Sequence, residues 1–592
     1  MTLLTDLPLE VIGDIVSYLA SYDQVSVLCV CKSWNNIFRS LLYRNVTVHS
    51  RAKLRRLLKF LEKHHHSNAT GNIVRSLKLD VPDLTGDEVR RLRVACPKVE
   101  SLSVNFGSSF EDIMAWCTAQ GTELTQLNLS AANNQVGFHR ILDVLPSINR
   151  LRSLTLGNID SQYVMNLHRM DSIHTACPRL ETLILGISQT ERSTRPPPIE
   201  DIDPQVEPIQ TLRKITLDFG NAFYHYPQWF HYFGLRYPNL ESCRFERGFH
   251  KWPGRSSTAA EAYRTFAKNC QQLRSIRWVS VTSLDPLLFE ALAEFNTTLE
   301  EIDLYEDRKS DLYENFKIYD GLLASPLAQK ISRLFIGPRP ECSHPSEFLD
   351  DIGRFRGLRK LKIVDSRNEV IPFDMNDILA CCPNVTQLTL DNIQLTAERT
   401  SNPKPHCLVS LEIVNADLNT SVFECISSQC PRLDKLRLDR CTYPTSSLKV
   451  YIPMQHQSFD KFDLVCDKRA GMGTVRFFAL TVHIENDHET VHEVEFDPTL
   501  TKWYYSTDIH TTFDDTGFAT RFLPLSTDDV FTIKVIVSQS RDQANKASLK
   551  ELCRRQDRES RSQLKFRNLV SGYVHIHCQS VNHLYINKKS TC

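Results

Sequence analysis

One six-residue pattern constrains this chain more than any other feature. An apolar residue is followed by two free positions, a second apolar residue, one free position and a third apolar residue. The pattern closes each of the segments CPKVESLSV (96–104), CPRLETLIL (177–185), CPNVTQLTL (382–390) and CPRLDKLRL (430–438). It recurs at Leu151, Leu154, Leu156; at Leu212, Ile215, Leu217; at Leu299, Ile302, Leu304; and at Leu358, Leu361, Ile363. About fourteen copies start between Val74 and Leu433, roughly 23 to 33 residues apart, a spacing typical of stacked repeats. The last two apolar positions alternate, as one face of a short strand must.

Helical spacing fills the intervals. FHRILDVLP sets Phe138, Ile141, Leu142 and Leu145 at i, i+3, i+4 and i+7, and MNDILACCP does the same with Met375, Ile378, Leu379 and Cys382. A single strand–helix unit cannot bury its apolar face alone, so neighbours must stack. The proline after each cysteine stops the helix, because it disfavours helical geometry in the preceding residue and has no N–H to donate. Cys96, Cys177, Cys382 and Cys430 therefore read as small buried residues at helix ends, not as metal or redox groups. The pattern resembles the cysteine-containing leucine-rich repeat family over about 365 residues. That resemblance implies an α/β fold: a curved solenoid with parallel strands on its concave face and helices outside. The copies LESCRF and LRSIRW depart from the consensus, and a weaker local register is expected there.

The head of the chain, TDLPLEVIGDIVSYLASYDQVSVLCVCKSWNNIFRSLLYRNV (5–46), has a different logic. Pro8 and Glu10 suit a helix first turn, where a missing N–H costs nothing and a carboxylate meets the positive end of the dipole. Val11, Ile12, Ile15, Val16 and Leu19 form a broad stripe, and a later helix carries Trp34, Ile37, Phe38, Leu41 and Leu42. So short a segment cannot bury all of this within itself. The order Leu7-Pro8-x-Glu10-Val11-Ile12, Ile15, Tyr18-Leu19, Asp23 and Val30-Cys31-Lys32-x-Trp34 resembles the F-box. The resemblance implies docking on a Skp-type adaptor and, through it, membership of an SCF-type cullin ubiquitin ligase as the substrate receptor. It also implies that Leu7, Pro8, Glu10, Val11, Ile12, Val30, Cys31 and Trp34 face the adaptor or shape that interface. The alternative is an interaction scaffold that binds the adaptor without substrate turnover. After this head, YRNVTVHS reads as a strand and RAKLRRLLKFLEK as a helix with Leu54, Leu57, Leu58 and Leu61 inward. His64 to His66 read as a solvated linker.

Composition removes several function classes. The 592 residues carry 70 basic and 70 acidic side chains, so no global field favours nucleic acid or an anionic membrane. No apolar run reaches the length of a membrane span. The acidic start MTLLTDLPLEVIGD is unlike a signal peptide. The 18 cysteines, with no CxxC pair, are accordingly expected to be reduced thiols of a cytoplasmic or nuclear protein. The expected organisation is an F-box at 1–48, a repeat solenoid at 49–466 and a strand-rich extension or cap at 467–592.

In that extension, TVRFFALTVHIE, HEVEF, WYYSTDIHTTF, VFTIKVIVS and YVHIHCQ all read as strands. HETVH (488–492) matches the zinc-hydrolase string H-E-x-x-H. A shared zinc needs the two histidines one helical turn apart. Here END precedes the motif as a turn, Thr490 and Val491 are β-branched, and Val494 and Phe496 continue a period of two. On a strand the imidazoles would stand roughly 13 Å apart. No glutamate lies between Glu495 and Glu551 to act as a third ligand. A phosphate loop and a G-x-S-x-G nucleophile are also absent. The expectation is a non-catalytic protein without metal or cofactor.

The remaining expectation concerns the solvent face of the strands, which the free positions of the repeat must line. In the later copies these are Lys360 and Lys362, Gln387, Thr389 and Asp391, Glu412, then Lys435, Arg437 and Asp439. Lys360, Lys362, Lys435 and Arg437 are the expected contacts for a target, and their charge suits an acidic or phosphorylated segment. The segment RPPPIEDIDPQVEP (195–208) is expected to be an exposed loop.

Overall fold

The computed structural model alternates strands and helices along the chain. It describes residues 7–586 except 19–25, 64–70, 82–83, 108, 132–137, 160–166, 188–201, 203–206, 219–226, 249–256, 282–285, 306–320, 338–343, 366–371, 399–403, 444–448, 466–475, 483–500, 508–520, 542–550, 552, 556–565, 567–568 and 570–572. HETVH, His64 to His66 and nearly all of the 195–208 segment lie outside the described residues. Contacts group the chain into two compact units, Met1–Thr298 and Leu299–Cys592.

The first unit opens with helices α1 (Leu9–Tyr18) and α2 (Lys32–Leu42), followed by β1 (Asn45–Val48) and α3 (Arg51–Lys63). Eight more strands follow: β2 (Ser76–Leu79), β3 (Ser101–Phe106), β4 (Gln126–Ala131), β5 (Ser153–Ile159), β6 (Thr182–Ile187), β7 (Lys214–Asp218), β8 (Ser242–Gly248) and β9 (Ser275–Val281). All pair in parallel with the next in sequence. Helices α4 (Gly86–Ala95), α5 (Phe110–Ala119), α6 (Phe138–Val144), α7 (Leu167–Ala176), α8 (Pro227–Arg236), α9 (Ser257–Asn269) and α10 (Pro286–Glu294) fill intervals between strands or follow the last.

The repeat pattern sets the register. Leu77, Leu102, Leu127, Leu154, Leu183, Ile215, Cys243 and Ile276 are partners in succession and all are buried. LESCRF and LRSIRW therefore hold the same register as the consensus copies. Cys243 takes a leucine position, and Phe245 and Trp278 fill the next column with stacked rings 6.2 Å apart. Phe230 of α8 packs 5.5 Å from Phe245, so aromatic volume replaces aliphatic volume without breaking the ladder. Gly234 lets α8 approach α9, since a Cβ there would stand 2.7 Å from the Phe266 Cα.

Helix ends behave as the Cys-Pro step implies. The N–H groups of Cys96, Cys177 and Cys430 donate to Leu92, Ile173 and Ile426 carbonyls, closing the last turns. These three thiols and Cys382 are buried. Burial pushes Cys96, Cys177 and Cys430 up to about 12, so each stays a neutral thiol. α4 begins with a full capping box: Thr85 accepts from the Glu88 N–H, and Glu88 accepts from the Thr85 N–H. Between α7 and the end of α8, Tyr232 donates to Asp171 at 2.7 Å, and His174 shares a 2.8 Å hydrogen bond with the Tyr237 hydroxyl. Burial, and secondarily the Arg236 charge, lower His174 to about 3.

The second unit begins with β10 (Glu301–Tyr305), β11 (Arg333–Ile336), β12 (Lys360–Val364), β14 (Gln387–Asp391), β16 (Ser410–Val414) and β17 (Lys435–Asp439), again parallel in sequence order. β13 (Pro372–Asp374) and β15 (Gln394–Thr396) form a separate two-stranded sheet. Helices α11 (Pro345–Gly353), α12 (Met375–Cys381) and α13 (Thr420–Gln429) lie between the main strands. Asn392, Asn415 and Arg440 follow three successive main strands with left-handed φ of 56°, 51° and 54°. Each donates its N–H to the end of the next strand, at Val414, Asp439 and Val465. Asparagine suits two of these turns because it tolerates that conformation better than most residues.

The ladder does not stop with the repeats. β18 (Lys449–Val465) pairs with β17 through Lys461–Val465 and with β22 (Tyr573–Ile586) along most of its length. β22 pairs on its other side with β19 (Phe477–Val482), which meets β20 (Thr501–Thr507) and then β21 (Arg521–Pro524) in antiparallel hairpin fashion. The strand-rich extension thus continues the repeat sheet of this unit. One expected strand is a helix: VFTIKVIVS lies within α14 (Thr527–Arg541). Its β-branched residues suggested a strand, yet Val530, Ile533, Ile536 and Val537 fall at helical spacing and are buried among Phe477, Trp503 and Tyr573. Ser526 and Asp529 cap its start by reciprocal hydrogen bonds. Tertiary packing on one helical face overrides the strand propensity.

Candidate functional site

The N-terminal helices build a small core and leave an apolar exterior. Ile12, Val16 and Phe38 are buried together, with Leu7, Val27, Leu28, Trp34, Ile37 and Leu41 packed around them. Trp34 stacks on Phe38 with centroids 5.5 Å apart. Cys31 caps α2 in an extended conformation, its sulfur accepting the Trp34 N–H at 3.5 Å. Asn35 donates to the Leu28 carbonyl at 2.9 Å, pinning the preceding turn to the helix.

These contacts sort the sequence-derived set. Ile12 is 2% exposed and belongs to the interior, so it shapes the surface rather than presenting itself. Leu7 and Trp34 are half-buried, divided between the core and solvent. Pro8, Val11, Val30 and Cys31 are exposed, and the Glu10 side chain lies outside the described residues. Seven large hydrophobic side chains stay exposed among the described residues of the whole chain, and three belong here: Val11 at 42%, Ile15 at 37% and Val30 at 60%. Ile15, one helical turn beyond Val11, is absent from the sequence-derived set although the stripe already contained it. Three of the seven thus fall within one segment of twenty residues.

The second candidate is the solvent face of the Leu299–Cys592 sheet. Lys360, Lys362, Lys435 and Arg437 do line it, because their strand neighbours Leu361 and Leu436 point into the core. They are not equivalent. Arg437 contacts Glu412 at 3.1 Å and Asp439 at 2.8 Å. Partial burial opposes its charge, but the Glu412 and Asp439 carboxylates outweigh that effect and hold the guanidinium above its ordinary value. Lys362 lies 4.4 Å from the centre of the Phe335 ring. Lys360 and Lys435 are exposed and make no ion pair among the described residues. They stand three strands apart, with Gln387 and Ser410 between them in register. No helix among the described residues is long and apolar enough to cross a membrane. No three metal-ligating side chains cluster among those residues.

Comparison with known proteins places one part of this chain. Residues 4–49 match the F-box-like family model, so the N-terminal helices form an F-box-like domain. No curated protein matches the chain in sequence. The solved structures similar in part include the following two. The crystal structure of the Rad7 and Elc1 complex in yeast matches at 13% identity and TM-score 0.33, covering 74% of this chain and 93% of that one. The TLR13–ssRNA13 complex matches at 13% identity and TM-score 0.35, covering 68% and 58%.

Proposed function

We propose that the chain is a substrate receptor of an SCF-type ubiquitin ligase, with a leucine-rich-repeat array as its target-binding part. Its F-box-like domain binds a Skp-type adaptor and through it a cullin. Its repeat strands hold a target protein, and the ubiquitin chemistry belongs to partner subunits. The observation that carries this reading is the exposure of Val11, Ile15 and Val30 around a closed core of Ile12, Val16 and Phe38. A domain that has satisfied its own core and still shows three large aliphatic side chains has surface suited to a partner. The buried thiols fit a reducing compartment, and cytoplasm or nucleus is the proposed location.

Co-purification tests the adaptor half. The full chain, expressed with a Skp-type adaptor, retains it through affinity and size-exclusion steps. Absence of a complex at micromolar concentration of both partners overturns the proposal. The target half is tested by affinity purification with cullin activity blocked, followed by mass spectrometry of the captured proteins.

A further inference from the structure

The register of the second unit sorts the charges of the strand face by column. The first solvent-facing position of successive strands reads Arg333, Lys360, Gln387, Ser410, Lys435, Lys461. One acid, Glu301 of β10, opens this column opposite Arg333; the others sit elsewhere: Asp303, Glu412 and Asp463 two residues further along their strands, Asp391 and Asp439 four. Asp303, Asp439 and Asp463 are buried. Asp434 and Asp460 precede two of the lysines, and the Asp434 carboxylate accepts the Asp460 N–H at 3.0 Å.

The fold does not demand these cations. In the Met1–Thr298 unit the same column holds Ser76, Ser101, Gln126, Ser153, Thr182 and Ser242, and Lys214 is its single charge. Neutral hydroxyls and amides therefore satisfy the position, and the basic column of the second unit needs another explanation.

Part of that column is already engaged. Arg333 pairs with Glu301 at 3.5 Å, and Lys461 reaches Asp463 at 4.0 Å and lies 5.3 Å from the Tyr585 ring centre. Lys360 and Lys435 make no ion pair among the described residues. Three strand spacings separate them by about 14 Å. An extended peptide covers about 14 Å in four residues, and its side chains at i and i+4 point the same way. Gln387 and Ser410 lie beneath the middle of such a segment, where an amide and a hydroxyl can bond its backbone.

We propose that this face binds an extended acidic segment of a partner protein, with anionic side chains four positions apart seated on Lys360 and Lys435. Carboxylates and phosphorylated side chains satisfy the same chemistry. A nucleic-acid backbone fits less well, because Glu412, Asp391 and Asp439 flank the column, and of the two cations beside it Arg437 is paired with Glu412 and Asp439 while Lys362 lies over the Phe335 ring. The proposal rests on the receptor reading only in calling the bound segment a target.

The test uses the full chain and fluorescein-labelled nonapeptides of glycine and serine, measured by anisotropy at low ionic strength. One peptide carries two phosphoserines four positions apart, one carries glutamates there, and one carries two adjacent phosphoserines. The spaced phosphopeptide binds most tightly, and K360E/K435E weakens it by at least about tenfold. The charge-matched control K404E/K534E, at exposed lysines off this column, leaves it unchanged. The glutamate arm tells whether carboxylates suffice. Equal binding by parent and K360E/K435E, or equal affinity for spaced and adjacent phosphoserines, overturns the proposal. So does an oligothymidine that outcompetes the spaced peptide. Adaptor retention is read on the same samples: a parent chain that binds peptide but no adaptor counts against the receptor reading and leaves this proposal standing.

Discussion

Charge placed on the exposed apolar surface of the F-box-like domain should abolish adaptor binding without unfolding the domain. The double substitution V11D/V30D is the sharpest perturbation. Val11 is 42% exposed and Val30 60% exposed, so neither contributes most of its surface to the core. Full burial of a valine is worth roughly 1.5–3 kcal/mol, and the exposed fractions together amount to about one whole side chain. An adaptor that covers both thus gains about 1.5–3 kcal/mol, and an unpaired carboxylate buried in their place adds a further penalty of about 1–3 kcal/mol. The combined loss is at least about 2 kcal/mol, roughly thirtyfold in Kd. Stability should hold, because residue 11 lies in the first turn of α1, where a carboxylate meets the positive end of the helix dipole. Titration calorimetry with a purified Skp-type adaptor measures the loss, and a thermal melt checks the fold. Phe38→Ala provides the contrast: with Phe38 1% exposed, it costs about 3–5 kcal/mol of local stability and loses the adaptor by unfolding. If V11D/V30D binds within threefold of the parent, the exposed aliphatic residues are not the contact and the reasoning fails.

Other outcomes follow from individual contacts. Alkylation of the native chain should reach Cys29 and Cys31 well before Cys96, Cys177 and Cys430, and a bound adaptor should protect Cys31; rapid native labelling of the buried three, read by mass spectrometry, contradicts their placement. Gly234→Ala should destabilise the first unit despite alanine's better helix propensity, because its Cβ meets the Phe266 backbone at 2.7 Å; an unchanged or raised melting temperature refutes the close approach of α8 and α9. His174, held near 3 by burial and by Arg236, stays neutral when folded but protonates when unfolded. Its contribution is therefore full above pH 6.5 and falls by about 1.4 kcal/mol per pH unit as pH drops from 6.5 toward 3. Denaturant titrations of H174Q should show a shallower acid slope than the parent, and identical slopes contradict the assignment.

Much of this architecture was legible in the sequence because the repeat writes its register in consecutive residues. Leu361, Leu388, Leu411 and Leu436 are cross-strand partners, as the repeated apolar positions require. The copy Phe459-x-x-Phe462-x-Leu464 carries the same signal with phenylalanine for leucine, and its register with β17 places Lys461 in the basic column. The helix at Thr527–Arg541 was missed because β-branched residues drew attention away from the spacing of Val530, Ile533 and Val537. Side-chain partnerships were the least legible layer. Nothing local to Arg437 announces Glu412, which arrives from the preceding main strand, and nothing local to Lys362 announces Phe335. Charge in a sequence is a property of one residue, whereas charge available to a partner depends on neighbours supplied by the fold. The F-box-like segment was readable because its order of residue types is local, but only the packing separated buried Ile12 from exposed Val11 and Val30.

Reconstituted ubiquitin transfer tests the receptor reading most directly. The full chain is combined with a Skp-type adaptor, a cullin–RING core, charged conjugating enzyme and a protein captured by this chain when cullin activity is blocked. The account predicts ubiquitin on the captured protein, lost when the chain carries V11D/V30D and restored with the parent. A chain that binds both adaptor and captured protein, yet supports no transfer beyond that seen without it, is a scaffold and contradicts the account.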